Sequence, residues 1–404
     1  MDEASPSSDP RPAEAPAPLT PPHPVLAASL AFGLFVSVGA VTQLLNPAFG
    51  VWFTEVFLFL GLAWIMVRRS GYRPAAYVGL SPFLGAPTLF GFLLGVANFV
   101  AVVVPVQFLA QRVAPAWLRE MFDASRLFEG QSPVELALLL GGVSVAAPLC
   151  EEVFFRGLFQ RSLTPPAPAS PWRALIISSV VFSAFHLDPV GFLARTELGL
   201  LFGWLFWRTG SLWPGIAAHA ANNIVSSALF LIATHSGLAK DGAPDDVTDW
   251  RAVLGLALVG WTALLGLRAA SRHFPSVWGR GSPPGDEEVR ATKPVPLFAL
   301  QLLPWVTAAT LSLVGLGLVD GRGVSLSVYD VQHPVDPLPK DADPALQAER
   351  KAMRQLREAV RKGEVPMEAY EEERLRQSEA YGPGKGKGKG KLKAKSKSKP
   401  EIRL

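Results

Sequence analysis

A single cysteine, Cys150, stands in 404 residues, which excludes an intramolecular disulfide and any cysteine-rich metal cluster. Charge is missing over long stretches: no Asp, Glu, Lys or Arg occurs from Val25 to Thr54, nor from Phe83 to Gln111. A bilayer core needs about 20 apolar residues to be crossed by a helix, so each stretch can span it, and a wholly soluble chain is excluded. The first 24 residues lack a basic n-region and are rich in Pro and Ala, which predicts a disordered tail over 1–24 and not a cleavable signal peptide. There is no HExxH pair and no evident repeat of 20 to 50 residues.

What is present is apolar sequence in blocks of membrane length. Beside the two charge-free runs, the second of which is one span, the candidates are Val51 to Val67, Leu136 to Leu163, Trp172 to Leu187, Val190 to Trp207, Ser211 to Thr234, Ala252 to Leu267 and Leu297 to Val319. With Val25 onward as the first, the blocks predict nine spans or one fewer, because Pro105, Pro148, Pro214 and Pro304 can kink or end helices. The fold class expected is all-α: a polytopic transmembrane bundle of eight or nine spans over 25–319, with a polar intramembrane cavity.

Beyond it the chain changes character. A linker is expected at 320–344, an amphipathic helical extension at 345–380 with Leu346, Met353, Leu356 and Val360 on one face, and a disordered tail at 381–404. The extension is read as lying on the membrane surface or against a partner. In the tail Lys385, Lys387, Lys389, Lys391, Lys393, Lys395, Lys397 and Lys399 exceed the chain's net charge of +4, so the remainder is net acidic. Such a tail is solvated and self-repelling, and suits an anionic surface. Nothing in the composition calls for nucleic acid.

Arg68, Arg69 and Arg73, Arg161 and Arg173, Arg208, and Arg268 with Arg272 follow alternate spans. The positive-inside rule makes those loops cytoplasmic, with the N-terminus inside. The expected location is the cytoplasmic membrane. The loop with Arg112, Arg119 and Arg126 runs against this pattern.

Into the apolar blocks are set polar residues at helical spacing: Glu151, Glu152 and Arg156, then His186, then His219 and Asn223. Three charges facing lipid at midplane would cost roughly 8 to 10 kcal/mol, so they must face protein or a wet cavity, where ionisable groups mark function. Arg156 follows Glu152 by four residues and can pair with it, while Glu151 is turned by about 100° and left free to act as a general base on water. Phe182 and His186 share a helical face, and His186 can orient that water. His219 and Asn223 are also four apart and can donate to an oxyanion. Cys150 is read as a packing residue, and Glu55, Arg195 and Glu197 as snorkelling or packing groups.

The set EExxxR at Glu151–Arg156, FxxxH at Phe182–His186 and HxxxN at His219–Asn223, in order within membrane segments, resembles the CPBP family of intramembrane proteases, which includes proteins similar to type II CAAX prenyl endopeptidases and bacteriocin-processing membrane proteins. The match covers about 136–234. It implies a metal-independent glutamic endopeptidase whose cavity opens to the cytosol, with Glu151 and His186 activating water, His219 and Asn223 forming the oxyanion hole, and Glu152 and Arg156 in support. It implies no cofactor, and a membrane-associated peptide or protein as substrate. Three other readings stand beside it: zinc held by the same Glu and His residues, a non-catalytic scaffold or immunity-type membrane protein, and a transporter.

Overall fold

In a computed structural model the protein is described over residues 20–115, 131–164, 170–235, 250–279, 288–291, 320–336 and 342–382, with isolated positions between them. Eight helices form the membrane unit: α1 (Pro24–Leu45), α2 (Pro47–Arg69), α3 (Gly85–Val113), α4 (Pro133–Leu163), α5 (Trp172–Phe185), α6 (Phe192–Thr209), α7 (Trp213–His235) and α8 (Trp250–His273). Six of them, α1 to α4, α7 and α8, are long and apolar enough to cross a membrane. No strand occurs among the described residues, and Tyr72 and Arg290 form an isolated bridge. The chain is a helical integral membrane protein. The expected ninth span, Leu297 to Val319, lies outside the described residues apart from Gly317.

Three local features decide where these helices begin and bend. α2 starts four residues earlier than its apolar block suggests, because the Asn46 side chain accepts from Phe49 N (2.9 Å) and Pro47 needs no donor partner in the first turn. α4 starts at a capping box: Ser132 Oγ accepts from Glu135 N, and Glu135 Oε2 accepts from Ser132 N. Pro105 and Pro148 interrupt neither α3 nor α4. Wide turns at Phe99–Val103 and Gly142–Ala146, just before each proline, rearrange the carbonyls whose N–H partners a proline removes.

Two ends of the bundle are distinct. At one, Arg73 donates to Glu288 O (2.5 Å), Arg161 donates to Tyr77 O, and Leu212 N donates to Gly79 O. At the other, the turn at Asn46 meets the start of α4. The described residues on either side of 292–319 lie at opposite ends: Ala291 N bonds Gly71 O, while Asp320 accepts from Asn46 Nδ2 at 3.0 Å.

α3 and α7 approach most tightly through small residues. A Cβ added at Gly91 would fall on the backbone of Pro214, and one at Gly95 on the carbonyl of Ala218, next to His219. Gly95→Val is therefore expected to lower the thermal midpoint in detergent, since overpacking costs about 1–3 kcal/mol. Gly33, with open space around its Cα, is the control; equal effects of Gly95→Val and Gly33→Val would refute the close packing.

The C-terminal region differs from expectation. The supposed linker is helical over 320–332, and this segment joins α-helices Pro344–Lys362 and Met367–Tyr381 in a small bundle. Met353 and Val360 are buried with Leu326 and Tyr370, so the apolar face predicted for a membrane surface or partner is covered by the chain itself. Burial, with Asp330 accepting its hydrogen, holds the Tyr370 hydroxyl above its ordinary pKa. Arg361 ties this unit to the membrane bundle, pairing with Asp320 (2.9 Å) and with Glu135 at the start of α4. We expect Arg361→Ala to expose 320–382 to limited proteolysis while leaving the membrane helices intact. An unchanged cleavage pattern would mean that the contact does not hold the unit in place. The lysine tail lies outside the described residues.

Candidate active site

α4 brings Glu151, Glu152 and Arg156 into the centre of the bundle, and all three are buried. Arg156 Nη1 donates to Glu152 Oε1 at 2.8 Å and Nη2 to Gly199 O of α6 at 3.2 Å. Its guanidinium lies 4.3 Å from the centre of the Phe182 ring and 5.3 Å from that of Phe202. The cation is thus held by a carboxylate, a carbonyl and two aromatic faces, each an attractive partner in a dry site.

α7 brings His219 between the two acids. Its Nδ1 lies 3.1 Å from Glu152 Oε1 and its Nε2 3.6 Å from Glu151 Oε2. The ring stacks on Phe202 at 4.8 Å and meets Phe182 edge-on at 5.8 Å. A carboxylate paired with a guanidinium only accepts, so Nδ1 carries the hydrogen and Nε2 is the nitrogen presented to Glu151. Helical spacing pairs Glu152 with Arg156 and sets His219 on a face with Asn223; the contact of His219 with both acids is a relation between helices that spacing does not give. One imidazole reaches both acids.

Asn223 is placed through the backbone of α4. Its Nδ2 donates to Val143 O at 2.8 Å, and its Oδ1 accepts from Asn222 Nδ2 at 3.0 Å. In the wide turn, Ala147 N bonds Gly142 O; the next donor in that pattern, for Val143 O, would be the N–H that Pro148 lacks. The amide of Asn223 fills that position. Pro148 was visible in the sequence as a possible kink, but its effect on Val143 needs the wide turn to be seen.

His186 does not join this direct network. Its Nδ1 sits 3.0 Å from Phe182 O, its ring meets Phe182 edge-on at 5.1 Å, and the residue is exposed. Phe182 therefore touches both imidazole rings. α5 has 14 residues, about 21 Å of rise, which is short of a bilayer core, so the turn after it falls at membrane depth. Irregular backbone at such depth requires protein or a water-filled cavity around it. The turn is built with some strain: Leu187 has φ +54°, and Asp188 caps Val190 N (2.8 Å) and Gly191 N (3.2 Å). Arg195 pairs with Asp188, and Glu197 accepts from Asn98 of α3 at 3.0 Å. Neither is a snorkelling group, and they do not pair with each other.

Cys150 is buried in the main hydrophobic cluster, as a packing residue would be. Among the described residues no group of three His, Cys, Asp or Glu side chains is arranged to hold a metal ion. His219 Nδ1 and Glu152 are already engaged with each other and with Arg156, so the donor set proposed for zinc does not converge on one point.

The family resemblance drawn from the three motifs is matched independently: residues 133–225 fit the family described as type II CAAX prenyl endopeptidase Rce1-like. The chain is also 30% identical over 105 residues to a Bacillus subtilis (strain 168) protein named "Putative membrane peptidase YdiL", an alignment covering 26% of this chain and 41% of that protein. The chain thus spans about two fifths of that relative's length. No solved structure matches the chain.

Proposed function

We propose that the protein is an intramembrane endopeptidase that hydrolyses a peptide bond of a membrane-associated protein or peptide, with Glu151 as the general base. The observation that carries this reading is the connected run Arg156–Glu152–His219–Glu151, buried in a membrane bundle and adjoining a polar turn at membrane depth. Its fit to the Rce1-like family over 133–225 supports the same reaction class.

The roles follow from the contacts. Glu151 takes a proton from water as the water oxygen bonds to the carbonyl carbon, and returns it to the amine nitrogen as the carbon–nitrogen bond breaks. Glu152 holds His219 by Nδ1 and so turns Nε2 towards the centre, while Arg156 balances the charge of Glu152. His219 and the second amide hydrogen of Asn223 are the donors for the oxyanion. His186, whose ring also packs on Phe182, orients the water with Glu151. In this reading the reaction needs no metal, and the basic end of the bundle faces the cytosol.

The test is a comparison of protein termini in membranes carrying wild type or Glu151→Gln, each with and without a strong zinc chelator. The expected result is new termini in membrane-associated proteins with wild type alone, unaffected by the chelator. Loss on chelation would transfer the function to the zinc reading. Identical termini in both membranes, with a biological phenotype that survives Glu151→Ala, would leave a scaffold.

A further inference from the structure

Glu55 lies in α2 within the wide turn Thr54–Leu60, one helical turn before Phe59. The Phe59 ring packs on Phe154 (5.4 Å) and Phe155 (5.5 Å) of α4. Both helices start at the same end of the bundle, so they run parallel, and the turn holding Glu55 falls against the turn holding Cys150 and Glu151. Glu55 is within electrostatic range of both. It is 5% exposed, and its Oε2 has no hydrogen-bond partner. The apolar block beginning at Val51 puts Glu55 near a helix start, as a snorkelling or packing group; with α2 beginning at Pro47 it sits more than two turns inside.

The charges around the pair leave Glu55 without a cation. From α4 come Glu151, Glu152 and Arg156; from α7, His219; from α6, Arg195. Arg156 is held by Glu152, Arg195 by Asp188, and His219 stands between Glu151 and Glu152. α1 contributes no charged residue over Pro24–Leu45. Among the described residues no ion pair reaches Glu55. Two carboxyl groups on packed turns of a dry interior repel each other when both are charged, so a single proton held between them is favoured.

We propose that Glu55 is a third carboxyl group of the catalytic centre, a positioning residue that holds one proton in common with Glu151. The pair then carries a single charge. During hydrolysis Glu151 gains the water proton and passes it to the leaving amine, while the shared proton stays within the pair, so the pair ends each cycle as it began. This rests on the reading of Glu151 as the base.

The test uses the full-length protein in liposomes, with the cleaved peptide identified by the terminus comparison as its substrate. The wild-type rate is expected to fall at alkaline pH, where the shared proton is lost. Glu55→Gln is expected to stay within about tenfold of wild type at the optimum and to abolish the alkaline fall. Glu55→Asp is expected to restore it. Glu55→Leu is expected to lose about a hundredfold in rate yet unfold at a higher temperature, because it removes an unpartnered buried acid. An independent readout is the infrared band of a protonated carboxyl at neutral pH, which Glu55→Gln should remove and Glu151→Gln should shift. An unchanged alkaline fall in Glu55→Gln, an unchanged band, or a lower unfolding temperature in Glu55→Leu would overturn the proposal. If Glu151→Gln cleaves normally, it is the reading of Glu151 that fails; if Glu151→Gln is inactive and the Glu55 variants behave as wild type, the failure belongs to Glu55 alone.

Discussion

Glu151→Gln is expected to lower turnover by about 10³-fold or more while leaving the fold intact, because it removes the carboxylate presented to His219 Nε2 at the centre of the bundle. The loss should fall on kcat and on kcat/KM together, since the missing interaction belongs to the transition state and not to substrate binding. The thermal midpoint should hold or rise. Glutamine is isosteric with glutamate, and the substitution removes a buried charge whose nearest ionic contact, 3.6 Å, is too long for a strong hydrogen bond. Glu151→Asp separates geometry from chemistry: the acid remains, but drawn back along the side chain, and a displacement of about 1 Å can cost about 10²-fold. Activity that survives in Glu151→Gln would remove the glutamate-base mechanism, whatever its cause.

The parts of this arrangement differ in how far the sequence discloses them, and the difference follows the range of the contact. Glu152 and Arg156 are four residues apart on one helix, so their pairing is local and can be predicted from helical geometry. The membrane helices follow from the length of the apolar blocks in the same way. His219 between two acids is a relation between α4 and α7, whose seating depends on α3 meeting α7 backbone to backbone at Gly91 and Gly95; no spacing within either helix encodes it. Asn223 is subtler, because its partner is a carbonyl that becomes available through the wide turn and Pro148.

Misplacements have equally definite causes. The second apolar block starts at Val51, after the break at Asn46 to Gly50, whereas the Asn46 cap and Pro47 start the helix four residues earlier and move Glu55 inward from the helix end. The segment 320–332 contains Gly321, Gly323, Val324 and Val328, which have weak helix propensity, and packing of Leu326 against Met353 and Val360 overrides that preference. With that helix in place the amphipathic face at 344–362 has a cover, which periodicity alone cannot reveal.

Arg156→Leu should have the opposite profile to Glu151→Gln: loss of the fold first, and of activity as its consequence. Arg156 and Glu152 are both fully buried, and Glu152 Oε1 accepts from Arg156 and from His219. Glu152 Oε2 is buried without a hydrogen-bond partner, so this carboxylate has no further donor to turn to when the guanidinium is removed. Breaking a buried pair in this way costs about 3–5 kcal/mol, and the expected fall in thermal midpoint is on the order of 10 °C. The two rings add to the loss, because Phe182 and Phe202 flank the guanidinium and would then face a shorter, uncharged side chain. Arg156→Lys should recover only part of it, since one ammonium cannot reach Glu152 and Gly199 O together in the geometry of a planar fork. The decisive comparison is the double variant Glu152→Gln with Arg156→Leu. If the damage comes from an abandoned charge, neutralising Glu152 restores much of the midpoint while His219 loses its charged anchor and activity stays low. If the double variant unfolds as early as Arg156→Leu alone, the guanidinium matters for its packing between the rings and not for its charge.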